Sequence, residues 1–263
     1  MVIDFHVHGF TDELAPRAIA ALSAGSGLQP RTDGTVSGIE ASMKKANIYR
    51  SVILSIATKP HQTSNITRWS AALKNDSIIP FASIHPDSDN WKSELSEIYA
   101  SGIKGIKFHP EYQNFFIDDP KMYPIYYKAA ELGLIMIFHA GVDVGLQPPY
   151  HCMPDRMRHM VRAFNGAKIV AAHMGGYDRW NEVEEYLVGE ELYFDTSFSM
   201  PRMGEEQFMR IVKNHGYKRL LFGTDSPWSD QAEDLALISS LKLSDEEKSA
   251  ILGGNAAKLL GLT

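Results

Sequence analysis

Short apolar runs recur along the chain, and segments of helical spacing lie between them. An apolar run of about four to eight residues is typical of a strand that is buried on both faces. The runs cover residues 1–9, 51–57, 78–85, 103–109, 134–139, 168–173, 192–197 and 219–225. The pattern predicts eight buried strands.

The intervening segments repeat apolar residues every three to four positions, which is typical of helices packed on a sheet. They cover residues 13–22, 35–47, 64–75, 91–101, 120–132, a stretch after the loop 141–154 that ends near 164, 180–188, 205–215, 230–241 and 245–260. Alternation without a linker or an internal repeat predicts an α/β fold, a (β/α)8 TIM barrel that forms a single domain over residues 1–263. The long connection 10–49, with a flexible turn at 24–27, is either a wall or lid of the site or a surface insertion.

The first run carries two histidines, His6 and His8. Side chains alternate along a strand, so both imidazoles point to one side, about 6.5 Å apart along the strand axis. The same alternation predicts that Ile3, Phe5 and Val7 pack outward against helices. Two imidazoles on one face can hold a metal ion, but ordinary surface histidines also occur in this spacing, so the inference depends on the other polar residues.

Those other polar residues fall near the ends of the predicted strands, where the active site of a TIM barrel forms. They are Lys107, His85, His109, His139, His173 and Asp225. We expect His85 and His109 to be structural or supporting, and His61, His151, His159 and His215 to lie in loops or at the surface.

Three neutral imidazoles, from His6, His8 and His139, together with the carboxylate of Asp225 suit Zn²⁺, with Mn²⁺ as an alternative. Such an ion lowers the pKa of bound water from 15.7 toward ~7. Asp225 could then take the proton from that water. His173 could polarise a substrate oxygen, act as a general acid or base, or bind a second metal.

Composition narrows the classes of partner. The formal net charge of −6 disfavours nucleic acid and anionic membranes, and no apolar run approaches the ~20 residues that span a bilayer. Cys152 is the single cysteine, which excludes an internal disulfide and fits a reducing compartment. Because Asp4 and His6 interrupt the first run, it is not typical of a signal peptide. We expect a cytoplasmic protein with a small-molecule substrate, and assembly into a homo-oligomer stays open.

Seven segments together resemble the amidohydrolase superfamily, most closely the branch that contains aminocarboxymuconate semialdehyde decarboxylase and several lactone hydrolases. They are residues 4–8 (DFHVH), 105–113 (GIKFHPEYQ), 138–141 (FHAG), 172–176 (AHMGG), 194–197 (FDTS), 222–227 (FGTDSP) and 254–256 (GNA). The resemblance implies a distorted barrel with His6, His8, His139 and Asp225 as metal ligands. It also implies that His173 is a catalytic or second-metal histidine.

Family members differ in metal number, so one or two ions per chain are both compatible with the resemblance. Lys107 and Glu111 lie near the fourth strand, where two-metal members carry a carboxylated lysine or a glutamate; an ion pair and a loop position are the alternatives. Further candidates for substrate binding, each with a surface or packing alternative, follow strands five to eight: Arg156, Arg158, Arg179, Arg202, Tyr177 and Trp228.

The leading hypothesis is a metal-dependent hydrolase of a small ester, lactone or amide. The alternative is a metal-dependent lyase, a decarboxylase or hydratase, acting on a small unsaturated carboxylic acid. A metal-dependent nuclease of the barrel type would carry a glutamate in the fourth strand, where this chain has Lys107. A binding protein without chemistry would be expected to have lost part of the ligand set.

Overall fold

Eight parallel strands form the centre of the protein, and a computed structural model describes residues 1–262 of the chain. Within that range the strands are β1 Ile3–Val7, β2 Arg50–Leu54, β3 Ile78–Phe81, β4 Gly105–Phe108, β5 Ile135–Phe138, β6 Ile169–Ala171, β7 Tyr193–Asp195 and β8 Leu220–Leu221. They pair in the orders β1-β2-β3 and β4 to β8.

Bridges between single residues close the two sets of strands into a barrel. Ala82 pairs with Ile106 after β3, and Val7 pairs with Ser226 beyond β8. The backbone N–H of Asp225 also donates to the carbonyl oxygen of His6 over 2.8 Å. The predicted (β/α)8 barrel is therefore confirmed.

Helices connect and cover the strands. In chain order they are α1 Ala15–Ser26, α2 Val36–Ala46, α3 Thr63–Leu73, α4 Trp91–Ala100, α5 Pro110–Gln113, α6 Tyr123–Glu131, α7 Pro154–Ala163, α8 Trp180–Tyr186, α9 Met200–Met203, α10 Glu205–His215, α11 Gln231–Ser240, α12 Asp245–Ser249 and α13 Asn255–Leu260. The predicted last helix is divided by a π-helical turn at Ala250–Gly254. No helix within residues 1–262 is long and apolar enough to cross a membrane.

The first strand faces the barrel differently from its predicted alternation. Ile3 and Phe5 pack in one apolar cluster with Val52, Ile137, other strand residues and the last helix α13, whereas Val7 joins the cluster that contains most of the surrounding helices. The pairing register of β1 with β2 shifts between Asp4 and Val7. Such an irregularity adds a residue to one strand and changes the face that later side chains occupy. The expected outward packing of Ile3 and Phe5 is therefore wrong.

Several predicted strands end earlier than their apolar runs suggest. His139, His173 and Asp225 lie just beyond β5, β6 and β8. His173 and Asp225 adopt φ of 58° and 68°, a left-handed conformation that a strand cannot contain. His173 and Asp225 therefore leave the sheet at the barrel mouth.

Helix α1 is longer than predicted. The expected flexible turn at 24–27 is largely helical, because α1 continues to Ser26 and ends where Gly27 adopts φ of 74°. The N–H of Gly27 donates to the carbonyl oxygen of Ser23 over 2.8 Å. The end of α1, instead of the expected flexible turn, therefore lies beside the barrel mouth.

Candidate active site

A cavity of about 490 Å³ opens at the carboxyl ends of the strands. Its polar lining includes residues from several strand ends, namely His6, His8, Lys107, His109, His139, His173 and Asp225. Phe10, Leu14, Leu22 and Leu28 also line it. The first part of the connection 10–49, as far as Leu28, therefore forms a wall of this cavity.

Three of the predicted metal ligands converge on one point. The Nε2 atoms of His6 and His8 lie 3.2 Å apart. Asp225 Oδ1 lies 3.4 Å from His6 Nε2 and 3.1 Å from His8 Nε2. Potential ligand atoms of these three residues all lie within 4.8 Å of one another.

Hydrogen bonds at Nδ1 fix the tautomers of His6 and His8, and therefore whether each Nε2 carries a proton. His8 Nδ1 lies 3.0 Å from the carbonyl oxygen of Leu54, which can only accept, so the proton is on Nδ1. His6 Nδ1 lies 2.9 Å from the carboxylate of Asp195 and donates in the same way. Both Nε2 atoms are then electron-pair donors facing the carboxylate of Asp225, an arrangement that a cation would stabilise.

Burial favours these charge states. It lowers the pKa of His6 to about 4, so the imidazole is neutral at pH 7. Burial also raises the pKa of Asp225, but the interactions with the surrounding imidazoles of His8, His6 and His173 outweigh it and hold that pKa below its usual range. Two neutral imidazoles and one carboxylate are donors that suit a divalent transition metal.

His139, the fourth predicted ligand, lies outside this group of three. Its Nδ1 is 3.1 Å from His173 Nε2, and His173 Nδ1 donates to the carbonyl oxygen of Ser197 over 3.1 Å. His139 Nδ1 must then carry the proton, which leaves Nε2 as a bare acceptor. Among residues 1–262 this buried Nε2 has no hydrogen-bond partner, which fits a metal ligand.

A second cluster contains His109, His139 and Asp143. His109 Nδ1 accepts from the N–H of Tyr112 over 3.4 Å, so its Nε2 donates to Asp143 Oδ2 over 3.2 Å. His109 and His139 stack with their ring centroids 4.4 Å apart. Because a hydrogen bond already joins His109 and Asp143, this cluster resembles a polar network more than a ligand set.

Of the three residues proposed for a second metal, Lys107 and His173 line the cavity, whereas Glu111 does not. Lys107 is buried, and its Nζ lies 3.4 Å from His6 Nε2. Burial lowers its pKa to about 8. Glu111 instead accepts from the N–H of His151 over 2.7 Å and does not line the cavity.

The proposed substrate-binding arginines lie elsewhere. Arg156 pairs with Asp118 over 2.6 Å, and Arg202 pairs with Asp178 over 3.0 Å. Arg179, which precedes α8, lies 3.5 Å from Glu182 in the first turn of that helix. None of the three lines the cavity as described for residues 1–262.

The two aromatic candidates for substrate binding differ in whether they line the cavity. Trp228 lines the cavity. Tyr177 does not, although its ring centroid lies 6.2 Å from that of His173.

Two acidic residues of the site escaped the sequence reasoning. Asp195 lies in the FDTS segment that carried the resemblance, but the pattern gave it no role. Asp143 lies in a loop without periodicity, four residues after His139, and that spacing was the one available signal. Burial raises the pKa of Asp143 to about 7.

A protein-family model described as Amidohydrolase matches residues 3–262. A sequence search of curated proteins finds no match.

Solved structures share the fold. A TIM-barrel protein of uncharacterised function from Bordetella bronchiseptica is 20% identical, with a TM-score of 0.78, and the match covers 99% of this chain and 98% of that one. For 5-carboxyvanillate decarboxylase from Novosphingobium aromaticivorans, which has manganese bound, the identity is 14%, the TM-score 0.71 and the coverage 99% and 97%. A protein from Acinetobacter baumannii described as a probable 2-pyrone-4,6-dicarboxylic acid hydrolase is 17% identical, with a TM-score of 0.69 and coverage of 99% of both chains.

Proposed function

Since the chain belongs to the amidohydrolase family, we propose that it is a metal-dependent hydrolase of a small ester, lactone or amide. The observation that carries the proposal is the convergence of His6 Nε2, His8 Nε2 and Asp225 Oδ1 within 3.1–3.4 Å of one another. Zn²⁺ is the first candidate for the ion and Mn²⁺ the second. We assign the unpartnered Nε2 of His139 as the remaining donor.

When bound, a divalent cation supplies a Lewis acid that activates water or polarises a carbonyl group. Asp225 is ionised at neutral pH and can therefore accept a proton from an attacking water. His173 is held in one tautomer by the carbonyl oxygen of Ser197. Its Nε2 accepts from His139 Nδ1 over 3.1 Å, so it can act as a general base toward a substrate once that hydrogen bond is exchanged for one to the substrate.

Decarboxylation is the second candidate, and Lys107 is the observation that favours it. Its buried ammonium lies 3.4 Å from His6 Nε2 at the cavity lining and can bind one carboxylate. Lys107 would fix the orientation of that carboxylate, and the buried surroundings would exclude the water that otherwise solvates it.

The test compares protein stripped of metal with protein reloaded with Zn²⁺ or Mn²⁺. Each form is assayed on aryl acetates, simple lactones and anilides, and on unsaturated and aromatic carboxylic acids with detection of released CO₂. Metal-dependent hydrolysis supports the leading proposal, and metal-dependent CO₂ release supports the second. Absence of both reactions in fully loaded protein would contradict both proposals. Asp178→Asn, at a surface ion pair, is the control for Asp225→Asn, which should lose turnover.

A further inference from the structure

The part of the cavity away from the histidines is lined by apolar side chains and by uncharged polar ones, namely Ser26, Thr58, Gln62 and Asn65. Leu22 and Leu28 come from α1 and the segment after it, Ile66 and Trp69 from α3, and Val144 from the loop after β5. A wall of this kind stabilises an apolar ligand surface by removing it from water.

Among the described residues, the positive charge of the cavity lies beside the histidines, away from the apolar side chains. Of the residues described, Lys107 is the single lysine that lines the cavity, and no arginine does so. Lys107 lies next to His6 in the buried cluster of histidines. One substrate anion therefore has a partner near the reacting centre, whereas a second anion among the half-buried apolar side chains at the other end would lose water without gaining a cation.

A close backbone contact fixes the position of the apolar wall. A Cβ on Gly145 would lie 2.4 Å from the carbonyl oxygen of Gly25, so α1 and the loop after β5 touch. The contact lies three residues beyond Leu22. It holds the apolar side chains of two different segments around the same cavity.

We propose that this site takes a substrate with one polar reacting end, which is a single carboxylate or a carbonyl group, and an apolar body, and that it excludes dicarboxylates. The inference rests on the proposed function in taking this cavity as the substrate site. It differs from the chemistry in the names of two similarly folded proteins, since 5-carboxyvanillate and 2-pyrone-4,6-dicarboxylic acid each carry two carboxyl groups.

The experiment uses two probes of matched shape, 4-isopropylbenzoate and benzene-1,4-dicarboxylate, in which an isopropyl group replaces a carboxylate. Trp69 and Trp228 line the cavity, so quenching of tryptophan fluorescence reports binding to the full-length protein. Titrations are done with metal-stripped and Zn²⁺-loaded protein. We expect 4-isopropylbenzoate to bind at least about tenfold more tightly in both forms.

Leu22→Arg supplies a cation to the apolar wall and should reduce this preference at least about tenfold or reverse it. Leu28→Arg repeats the test from another position if the first variant does not fold. Leu146→Arg is the matched control, because Leu146 is 37% exposed, follows Gly145 and does not line the cavity. It should leave the preference unchanged.

Equal or tighter binding of benzene-1,4-dicarboxylate to the unchanged protein would overturn the inference, and so would binding of neither probe. Because fluorescence quenching requires no turnover, the two proposals can fail separately. Preferred binding of 4-isopropylbenzoate by a protein that catalyses no reaction would contradict the proposed function alone. Turnover that favours dicarboxylic substrates would contradict the substrate class alone.

Discussion

His6 Nδ1 lies 2.9 Å from Asp195 Oδ2, and both side chains are fully buried. The other oxygen, Asp195 Oδ1, accepts from the backbone N–H groups of His173 and Ser197, each over 3.1 Å. Burial raises the pKa of Asp195, but interactions with His6 and His173 outweigh it and hold that pKa below its usual range. One ionised carboxylate therefore orients a proposed metal ligand and the backbone of the proposed catalytic histidine.

Replacing Asp195 with asparagine should weaken metal binding. The amide nitrogen that replaces Oδ2 cannot accept from His6 Nδ1, so the proton moves to Nε2 and occupies the ligand atom. Loss of such a supporting partner typically costs ~10–100-fold in metal affinity. Competition with a chelator measures the change in Asp195→Asn, with Asp178→Asn as the surface control. Equal affinities would contradict the orienting role of Asp195.

His173→Asn separates a proton-transfer role from a ligand role. His173 is absent from the His6, His8 and Asp225 group, and its Nε2 faces His139. We expect the variant to keep the metal content of the unchanged protein and to lose at least ~100-fold in kcat. Metal analysis beside a turnover assay checks both outcomes. A loss of one ion per chain would make His173 a ligand.

Gly145→Ala should loosen the apolar wall. Gly145 has φ of 94°, and its added Cβ would meet the carbonyl oxygen of Gly25 at 2.4 Å, so α1 and the loop must separate. We expect KM for an apolar substrate to rise about three- to tenfold, which corresponds to about 1 kcal/mol of binding free energy. Gly189→Ala is the matched control, since Gly189 has φ of 89° but no atom within 4 Å of the added Cβ. A similar KM in both variants would contradict the role of the contact.

Because of His215, we expect the free energy of unfolding to depend measurably on pH. The sequence suggested a surface or loop position, but the structure buries His215 against Phe194, with ring centroids 4.1 Å apart. Burial lowers its pKa to about 4, whereas the unfolded chain binds the proton near pH 6.5. The unfolded state therefore binds more protons between these values, and stability falls as the pH falls.

Between pH 7 and pH 5 this one group should cost about 2 kcal/mol of the free energy of unfolding. Denaturant unfolding of the wild type and of His215→Gln at both pH values isolates the contribution. The free energy of unfolding of the wild type should fall by that much more than that of the variant. Parallel pH profiles would contradict a neutral buried histidine.

The barrel was predictable because each strand is buried on both faces and therefore consists of a run of mainly apolar residues. The ends of the strands were not, because His173 and Asp225 continue apolar runs in the sequence but leave the sheet through a left-handed backbone conformation. The facing of Ile3 and Phe5 was missed for a related reason, since alternation assumes an unbroken register and β1 shifts its register beside His6.

The convergence of His6, His8 and Asp225 could be predicted from their positions at strand ends, because the carboxyl ends of barrel strands meet at one mouth. The arginines could not be placed in this way. Arg156 and Arg202 follow barrel strands as predicted, but each pairs with a nearby carboxylate, and that partner is not evident from sequence spacing. Asp143 was missed because an irregular loop places it beside His109.

The most direct test of the account is calorimetric titration of Zn²⁺ into metal-stripped protein, repeated for His8→Ala and Asp225→Ala, with Arg202→Ala as a surface control. We expect a tight site of about one ion per chain in the unchanged protein and in the control. We expect no tight site in His8→Ala or Asp225→Ala. All four proteins should be folded, as measured by circular dichroism. Failure of the folded, unchanged protein to bind Zn²⁺ or Mn²⁺, or unchanged binding in either ligand variant, would contradict the convergence of these residues on a metal ion.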